Sequence, residues 1–594
     1  MTEHNHMNPY ARAKDPRAAF KTFLSSVKQF RFRLIVSIIL CVGSSVLGIF
    51  TPKIIGEMTD IAKNTYETGL DWPSLSNYAI LAIVLFSSSA LLNYLQAYIL
   101  AVVTAKYTEK LRKNIIEKIA KLPIYYFDTH KHGDTLSRMT NDIDVLTTTM
   151  SQEIADVSLS LTTLLGVTIL MFTISIPLSL ITIIIVPISV FVVGKIAKFA
   201  QKYFREQQNT LAELNSKIEE DYSGQIIIKS NSYEGAALAD FSETNEKLAV
   251  ASRKAQIFSA LSFPVTHIFT NLGYIIVCIL GGYLVVENQI SIGSIVAFLG
   301  YLSRFNRPIT EIASTTSTIQ ALVAASERIF NFLNEKEEDP NPEPAQTIKK
   351  ISGAVDFNHV NFSYEKDQPV IRDFNVKIKP GQNVAIVGPT GAGKTTIINL
   401  LMRFYDPTSG YITIDDVPTK EMRREDVRTL FGMVLQDTWL FSGTVEENLR
   451  YGNQEATLDD IKRAAKACDI DHVIESLPKG YQTVISEDSD NISAGEKQLL
   501  TIARAMIANP PMLILDEATS NVDTRTEERI QNAFEKITKG RTSFVIAHRL
   551  STIRNSDLIL VMKNGSIVEQ GTHDELLKQN GFYAELYNSQ FAEN

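Results

Sequence analysis

The chain contains little cysteine. Only three cysteines occur among its 594 residues, Cys41, Cys278 and Cys468, and no two of them form a C-x-x-C pattern. A disulfide framework needs paired cysteines and a structural zinc site needs clustered ones. The sequence therefore predicts neither kind of site.

An excess of positive charge is also missing. The 58 lysines and arginines are outnumbered by 66 aspartates and glutamates, which gives a formal net charge of −8 at pH 7. Proteins that bind nucleic acid normally present a basic face to the phosphates. We therefore expect no nucleic acid among the partners of this chain.

Charge is absent altogether from five long stretches of the N-terminal half. These uncharged stretches are residues 34–52, 72–105, 157–194, 255–286 and 288–303. The hydrocarbon core of a bilayer needs about 20 apolar residues of helix. If the third stretch turns near Ser175, the sequence predicts six spans, at residues 34–55, 77–103, 157–174, 177–194, 258–285 and 290–310.

The connections between these spans differ in charge. Lysines and arginines cluster before the first span, between spans two and three, and between spans four and five, whereas the opposite loops carry only Lys63. The positive-inside rule then predicts a multi-pass protein of the plasma membrane with both termini in the cytoplasm. The two long basic connections are helix-like in composition, so we expect spans two to five to continue beyond the membrane.

A segment rich in proline and charge, "NEKEEDPNPEPAQTIKK", follows the last span and is typical of a linker. Beyond it the chain has the composition of a soluble α/β protein. The predicted organisation is an N-terminal cytoplasmic segment with an elbow helix at 1–33, a membrane domain at 34–334, a linker at 335–350 and an α/β domain at 351–594.

The α/β part contains a glycine-rich phosphate-binding pattern. In "NVAIVGPTGAGKTTIINLLMRFY", Gly388 to Thr395 match G-x-x-x-x-G-K-[ST] between an apolar strand and a helix. Glycines let backbone N–H groups close around phosphate oxygens, while Lys394 suits the β- and γ-phosphates and the Thr395 hydroxyl suits Mg²⁺. The predicted ATP-binding residues here are Gly388, Pro389, Thr390, Gly391, Ala392, Gly393, Lys394, Thr395 and Thr396.

A second element, "PPMLILDEATS", is an apolar strand that ends in Asp516 and Glu517. A carboxylate at the end of a strand suits Mg²⁺, held through water, and its neighbour can polarise an attacking water. An apolar strand followed by two acids is common by itself. Together with the glycine-rich loop, it predicts a nucleotide-hydrolysing P-loop domain.

With these two elements, the C-terminal part resembles the nucleotide-binding domain of the ATP-binding cassette (ABC) family, and the whole chain resembles an ABC exporter half-transporter. The resemblance implies that Tyr364 stacks on adenine, that Gln436 contacts Mg²⁺ and that His548 holds the γ-phosphate. Taken singly, these residues also suit a core tyrosine, a surface glutamine and a satisfied histidine. Residues 125–144 and 231–241 resemble the two intracellular loops that transmit motion between such domains.

The family's signature, L-S-G-G-Q, is altered in this chain. It is Ile492, Ser493, Ala494, Gly495 and Glu496, so a methyl group and a carboxylate replace a glycine and a glutamine. Both changes disfavour close contact with a phosphate. Ser493 and Glu496 also match the S-x-x-E capping box, so a good helix cap and a poor phosphate clamp are both predicted.

The loop that faces the other subunit in the family, the D-loop, departs from the family as well. It contains Ser520, Asn521 and Asp523, with Asn521 where the family usually has alanine. In the ABC dimer each ATP lies between one subunit's P-loop and the other's signature, so a weak signature impairs the partner's site. This implies a heterodimer with a second half-transporter, in which Gln436, Glu517 and His548 serve the competent site. A homodimer remains the alternative.

That division resembles the heterodimeric multidrug exporters of Gram-positive bacteria, and it implies ATP-driven efflux of hydrophobic or cationic small molecules in contact with membrane lipids. An exporter of lipid or peptide and an ATP-gated channel or regulator would share every motif. For the cargo site, His267 is the candidate that the sequence offers. Arg304 and Arg307 are expected to lie at the cytoplasmic interface, about 20 Å along a helix that starts at Ser291.

Overall fold

The computed structural model describes residues 15–64, 71–365, 368–435, 438–486, 492–516, 524–547 and 550–591. The chain divides into two compact units. The first comprises Met1–Lys121 and His130–Lys336, and the second comprises Leu122–Thr129 and Glu337–Asn594.

The first twelve helices precede every described strand. They are α1 (Pro16–Val27), α2 (Arg31–Ile49), α3 (Thr51–Asn64), α4 (Trp72–Lys121), α5 (Ile124–Thr129), α6 (His132–Ser137), α7 (Ile143–Thr148), α8 (Ile154–Ile174), α9 (Ile176–Ser223), α10 (Gln225–Ser230), α11 (Glu234–Val286) and α12 (Ile292–Leu333). Two π-helical turns, Arg138–Asp142 and Thr149–Glu153, lie on either side of α7. The short helix α5 belongs to the second unit, and the other eleven helices belong to the first.

Among the described residues, five helical segments are long and apolar enough to cross a membrane. These segments are Pro16–Asn64, Trp72–Lys121, His132–Ile174, Ile176–Ser223 and Glu234–Val286, and the shorter apolar segment Ile292–Phe305 follows them. Large apolar side chains remain exposed on them, including Ile83, Ile169 and Ile279 at 64%, 63% and 70%. Such a surface is stable against lipid and unfavourable against water.

Three of these helices continue well past their apolar runs, as the basic connections predict. Helices α4, α9 and α11 contain 50, 48 and 53 residues. At 1.5 Å per residue each is on the order of 75 Å long, more than twice the thickness of a hydrocarbon core.

The break between α2 and α3 has a local cause. Pro52 lacks an N–H group, so it cannot donate to the carbonyl of Gly48 four residues earlier. Arg304 on α12 supplies a donor instead, with its Nη1 lying 2.7 Å from that carbonyl oxygen. The guanidinium is half-buried at this helix break, where it ties α12 to α2.

The start of α12 is held by α3 through a second contact. The Asp60 carboxylate accepts the Gly293 N–H at 2.7 Å and the Ser291 hydroxyl at 2.5 Å, which satisfies donors at this helix N-terminus. The two backbones meet at glycines, because a Cβ on Gly56 would lie 2.4 Å from the Gly293 carbonyl oxygen. A side chain at either position would separate the two helices.

The second unit contains every described strand. The strands are β1 (Val355–Ser363), β2 (Pro369–Ile378), β3 (Asn383–Val387), β4 (Ser409–Ile414), β5 (Val417–Pro418), β6 (Phe431–Val434), β7 (Gly443–Thr444), β8 (Val484–Ile485), β9 (Met512–Asp516), β10 (Thr542–Ile546), β11 (Leu558–Lys563) and β12 (Ser566–Gly571). Its helices besides α5 are α13 (Lys394–Leu401), α14 (Arg424–Thr429), α15 (Val445–Arg450), α16 (Leu458–Ala467), α17 (Asp471–Ser476), α18 (Ala494–Ala508), α19 (Thr524–Thr538), α20 (Leu550–Arg554), α21 (His573–Gln579) and α22 (Phe582–Phe591).

The strands form two main sheets. An antiparallel sheet has the order β2-β1-β4-β5, and a larger sheet has the order β12-β11-β3-β10-β9-β6, while β7 pairs with β8. In the larger sheet β11, β3, β10, β9 and β6 are parallel, and only the edge strand β12 is antiparallel. Helices cover parallel sheets on both faces, which explains why all five residues of β10 are buried.

Candidate nucleotide-binding site

The glycine-rich loop connects β3 to α13 at the carboxyl edge of the parallel sheet, where ligands of α/β sheets bind. Gly391 and Gly393 have φ angles of +82° and +98°, which residues with a Cβ rarely adopt. A Cβ on Gly393 would also lie 2.7 Å from Cδ1 of Ile371, whereas one on Gly391 would meet open space. The loop is thus packed against the protein at Gly393 and open to solvent at Gly391.

Lys394 folds back over this loop. Its Nζ donates to the carbonyl oxygens of Gly388 at 2.7 Å and of Pro389 at 3.3 Å. Burial lowers the pKa of Lys394 below its ordinary value, and the charge of Asp516 partly opposes that shift. The ammonium group is therefore half-desolvated within the loop, where an added anion would stabilise its charged form.

Asp516 lies at the same edge of the sheet. It is the last residue of β9 and pairs with Ile546 at the end of β10, and β10 pairs with β3 on its other side. The Thr395 side chain is exposed on the first turn of α13. A hydroxyl and a carboxylate are hard oxygen ligands of the kind that Mg²⁺ prefers.

Three predicted catalytic residues are outside the described part of the chain. Gln436 follows β6, Glu517 directly follows Asp516, and His548 follows β10. All three strands are neighbours in the parallel sheet, and their carboxyl ends share one edge with the glycine-rich loop. The roles of these three residues remain predictions, as do those of Ser520, Asn521 and Asp523, which are also outside the described residues.

Tyr364, the residue predicted to stack on adenine, packs against two aromatic rings. Its ring meets Phe362 and Tyr405 edge to face, at centroid distances of 4.8 and 5.0 Å. Its hydroxyl lies 3.3 Å from Oγ1 of Thr396, and Asn399 donates to it at 3.2 Å. The tyrosine is thus positioned from α13, the helix that begins at the glycine-rich loop.

Tyr405, which no sequence pattern marks as functional, joins this aromatic cluster to α5. Its hydroxyl donates to the carboxylate of Asp128 on α5. Burial and the adjacent Asp128 raise the pKa of Tyr405 above its ordinary value. Asp128 belongs to the segment 125–144 that resembles an intracellular loop, and the structure places its first part, through Thr129, in the second unit.

The altered signature forms the N-terminus of α18. Ser493 is the N-cap, and both its N–H and its hydroxyl donate to Oε2 of Glu496 at 2.8 Å, while the Glu496 N–H points back to the serine oxygen at 3.4 Å. The predicted capping box is therefore confirmed. Ser493 and Ala494 are exposed, Gly495 is buried and Glu496 is half-buried.

Outside this region, the candidates for a cargo site are dispersed. His267 is exposed on α11, with its ring 4.3 Å from that of Phe263. Arg304 is bound to Gly48 as described above, so it has a structural role at the helix break. The side chain of Arg307 is outside the described residues.

Comparison with known proteins agrees with this arrangement. Residues 34–309 match the model of the ABC transporter transmembrane region, and residues 371–520 match that of the ABC transporter domain. The first covers most of the helical unit, and the second covers the glycine-rich loop, β9 and the altered signature.

Several named proteins are similar to this chain over most of their length. A fatty acid ABC transporter ATP-binding/permease protein of Mycobacterium bovis is 41% identical over 97% of this chain and 98% of its own length. A putative multidrug export ATP-binding/permease protein of Bacillus subtilis is 33% identical over 96% of this chain and 99% of its own. An ATP-dependent lipid A-core flippase of Syntrophus aciditrophicus is 34% identical over 84% of this chain and 83% of its own. The chain therefore belongs to the ABC transporter family, as a multi-pass exporter half-transporter that binds ATP and couples its hydrolysis to transport.

Proposed function

We propose that this chain is one half of a heterodimeric exporter that moves amphipathic small molecules, drugs among them, out across the plasma membrane. Six spans would form its membrane half, with the apolar segment Ile292–Phe305 as part of the sixth. The nucleotide domain and both termini would lie in the cytoplasm, on the side of the basic connections. Binding of ATP between two nucleotide domains would draw them together, and hydrolysis would reset the pump to its inward-facing form.

Within the competent site, each residue has a distinct task. Lys394 would neutralise the β- and γ-phosphates, for which its position over the open glycine-rich loop is favourable. Thr395 and Asp516 would hold Mg²⁺, together with Gln436. Glu517 would polarise the attacking water, and His548 would orient the γ-phosphate.

The observation that carries the heterodimer is the occupied cap of α18. The serine hydroxyl that the family's signature offers to a partner's γ-phosphate donates here to Glu496 at 2.8 Å. A phosphate approaching Ser493 would meet that carboxylate, and like charges at such short range repel. A partner with an intact signature would complete the site built on Lys394, whereas the site that depends on Ser493 would turn over slowly.

Glu517→Gln tests the assignment of the hydrolytic site. We expect inside-out vesicles of the native host that carry this variant to bind ATP normally and to lose most ATP-dependent uptake, because the amide cannot polarise water. The measurements are uptake of a lipophilic cationic dye and photolabelling by an azido-ATP analogue.

Glu535→Gln provides the matched control, because Glu535 is an exposed residue of α19 in the same domain. It should leave uptake unchanged. Full uptake in the Glu517→Gln vesicles would contradict the assignment of the catalytic residue. Absence of ATP-dependent uptake for every amphiphile tested in wild-type vesicles would contradict the exporter itself.

A second candidate function is export of fatty acids or other lipids. It is favoured by the 41% identity, over nearly the full length, to a protein named as a fatty acid transporter. The same vesicles separate the two functions, because a labelled fatty acid would accumulate in place of the cationic dye.

A further inference from the structure

A basic pocket lies in the membrane unit where the beginning of α2 meets α4. Its volume is about 590 Å³, close to twenty times the roughly 30 Å³ that a water occupies in the liquid. Two segments line it, the chain around the start of α2 with Gln29, Phe30, Phe32 and Arg33, and one stretch of α4 with Lys106, Glu109 and Lys110. The pocket therefore has room for a ligand of several heavy atoms.

The pocket lies at the ends of two predicted spans. Arg33 directly precedes the uncharged run 34–52, and Lys106 directly follows the uncharged run 72–105. Because both residues line one pocket, the start of the first span and the end of the second lie at the same edge of the bilayer. That edge is the level of the lipid head groups, where lysine and arginine meet phosphates.

The cations of this pocket are incompletely neutralised. In the described part of the chain, neither Arg33 nor Lys106 has a hydrogen-bond or ion-pair partner. Lys110 donates to Oε1 of Gln29 at 2.7 Å, which uses one of the three N–H groups of its ammonium. Glu109 is the one carboxylate among the described lining residues, so three cations face a single anion. Lys106 and Lys110 are four residues apart on α4, where like charges repel, and an added anion would relieve that repulsion.

The pocket is attached to a packed aromatic frame. The Phe30 ring meets that of Tyr107 edge to face, at a centroid distance of 6.4 Å. Phe23 of α1 packs on the same tyrosine at 6.3 Å, and the hydroxyls of Ser26 and Tyr107 are 2.7 Å apart. These contacts hold α1, the start of α2 and α4 together. The backbone that carries the cations is therefore positioned before any ligand binds, which lowers the entropic cost of binding.

An exposed apolar stripe leads away from the pocket along α2. Phe32, Ile35 and Ile39 are three and four residues apart, so they lie on one face of the helix. Their exposed fractions are 75%, 53% and 62%. The stripe starts at Phe32, in the pocket, and follows the uncharged run into the predicted span. A phosphate that carries hydrocarbon chains matches the pocket and the stripe together, whereas a free anion uses the pocket alone.

We propose that this pocket binds the phosphodiester head group of an anionic phospholipid such as phosphatidylglycerol. Arg33, Lys106 and Lys110 donate to the phosphate oxygens, and an acyl chain lies along the stripe. A zwitterionic phospholipid binds less well, because its head group also carries a cation that the same side chains repel. The site goes beyond the proposed export function, since it requires neither ATP nor a transported substrate.

The test measures which lipid contacts the pocket, through quenching of a tryptophan placed in its wall. The pocket reporter is Phe32→Trp in a Trp72→Phe/Trp439→Phe background, which removes the two native tryptophans. The full-length chain is reconstituted in vesicles of phosphatidylcholine. Either brominated phosphatidylglycerol or brominated phosphatidylcholine serves as the quencher, and the dependence of quenching on its mole fraction gives the relative binding constant.

Phe191→Trp in the same background is the reference reporter. Phe191 is 64% exposed on α9, and the Lys195 ammonium lies 4.8 Å from the centre of its ring. Lys195 directly follows the uncharged run 157–194, so this reporter also lies beside a cation at the end of a predicted span. Neither residue lines the pocket. The reference therefore measures the general enrichment of anionic lipid around basic residues.

We expect phosphatidylglycerol to be preferred over phosphatidylcholine at least threefold at the pocket reporter and less than twofold at the reference reporter. Adding Arg33→Gln/Lys106→Gln should bring the preference at the pocket below twofold. Lys195→Gln/Lys198→Gln removes the same charge from exposed positions on α9 and should leave the pocket preference unchanged. Equal preferences at the two reporters, or a pocket preference that survives Arg33→Gln/Lys106→Gln, would overturn the proposal.

A soluble phosphate ester is the other source of the same chemistry. Millimolar glycerol 3-phosphate, added at constant ionic strength, should leave the pocket preference for phosphatidylglycerol unchanged, because the surrounding bilayer supplies the lipid at a high effective concentration. Loss of the preference would show that the pocket takes the free phosphate ester, which would refute the lipid as its occupant. The assay contains neither ATP nor a partner subunit, so a failure of the proposed export would not change its outcome.

Discussion

Glu496 has two effects, and both arise from the hydrogen bonds that it accepts from Ser493. Ser493 is the N-cap of α18, an interaction that stabilises a helix by about 1 kcal/mol in typical proteins, and the Glu496 carboxylate completes the capping box by accepting the Ser493 N–H and hydroxyl. The same bonds occupy the serine of the signature, which we propose meets the ATP of a partner subunit. Other capping boxes of this domain, such as Thr572 with Glu575 on α21, have only the first consequence.

Cys468 gives a prediction of pH dependence at the level of one residue. Burial raises the pKa of this thiol from 9.0 to about 12. A group whose pKa is raised by folding stabilises the fold below its unfolded pKa, and that stabilisation is lost as pH rises toward the folded value. We therefore expect ionisation of this thiol to lower the free energy of unfolding of the second unit by up to about 4 kcal/mol between pH 9 and 12. The figure follows from 1.36 kcal/mol per pKa unit.

The measurement is the thermal midpoint at pH 8 to 10, followed through Trp439 in a Trp72→Phe background, which leaves a single tryptophan reporter in the second unit. Cys468→Ala should lower the midpoint at pH 8 through the cavity it creates, yet show a shallower decline as pH rises. Parallel declines in both proteins would show that the thiol contributes nothing to the alkaline loss.

At the scale of elements, the membrane unit depends on contacts that replace backbone hydrogen bonds. Arg304→Leu should destabilise this unit by about 1–3 kcal/mol, because it withdraws the donor that Gly48 receives in place of the Pro52 N–H. Pro52→Ala restores a backbone N–H at that position, so the two changes together should cost about 1 kcal/mol less than their sum.

The double-mutant cycle compares the parent chain, Arg304→Leu, Pro52→Ala and the double variant. Their thermal midpoints are read from the fluorescence of Trp72 in a Trp439→Phe background. Additive effects within error would show that the guanidinium and the missing N–H are unrelated.

The contact of α3 with α12 makes a separate prediction. A Cβ on Gly293 would lie 2.0 Å from the Gly56 carbonyl oxygen and 2.5 Å from the Asp60 carboxylate, so Gly293→Ala should destabilise the unit by about 1–3 kcal/mol. Gly282→Ala is the matched control on α11, where a Cβ meets nothing within 4 Å, and we expect it to be neutral or slightly stabilising. Equal thermal midpoints for the two variants would contradict the packing described here.

The difference between local and distant contacts explains what the sequence could predict. The glycine-rich loop, the α18 cap and the long apolar helices all depend on residues close to one another in the sequence. Their sequence patterns were therefore sufficient to predict them. The bond from Asp60 to Gly293 joins residues 233 positions apart, and nothing near either residue marks its partner. The same is true of Tyr405 and Asp128, which are 277 positions apart.

At the scale of the whole molecule, we propose that this chain combines a competent nucleotide site with a weak signature. Such a chain should hydrolyse ATP slowly by itself. Every site in a self-assembled dimer would combine Lys394 of one copy with Ser493 of the other, whose hydroxyl is already hydrogen-bonded to Glu496. Restoring glycine at position 494 and glutamine at position 496 should therefore raise the rate of ATP hydrolysis without any change to the P-loop.

The most direct measurement is the ATPase rate of the purified chain without a partner, in lipid nanodiscs, for the wild type and for Ala494→Gly/Glu496→Gln. We expect the repaired chain to hydrolyse ATP at least tenfold faster, while Glu575→Gln, which alters the capping box of α21, leaves the rate unchanged. A wild-type chain that already turns over as fast as the repaired one would contradict the account, because its own signature would then be a competent clamp.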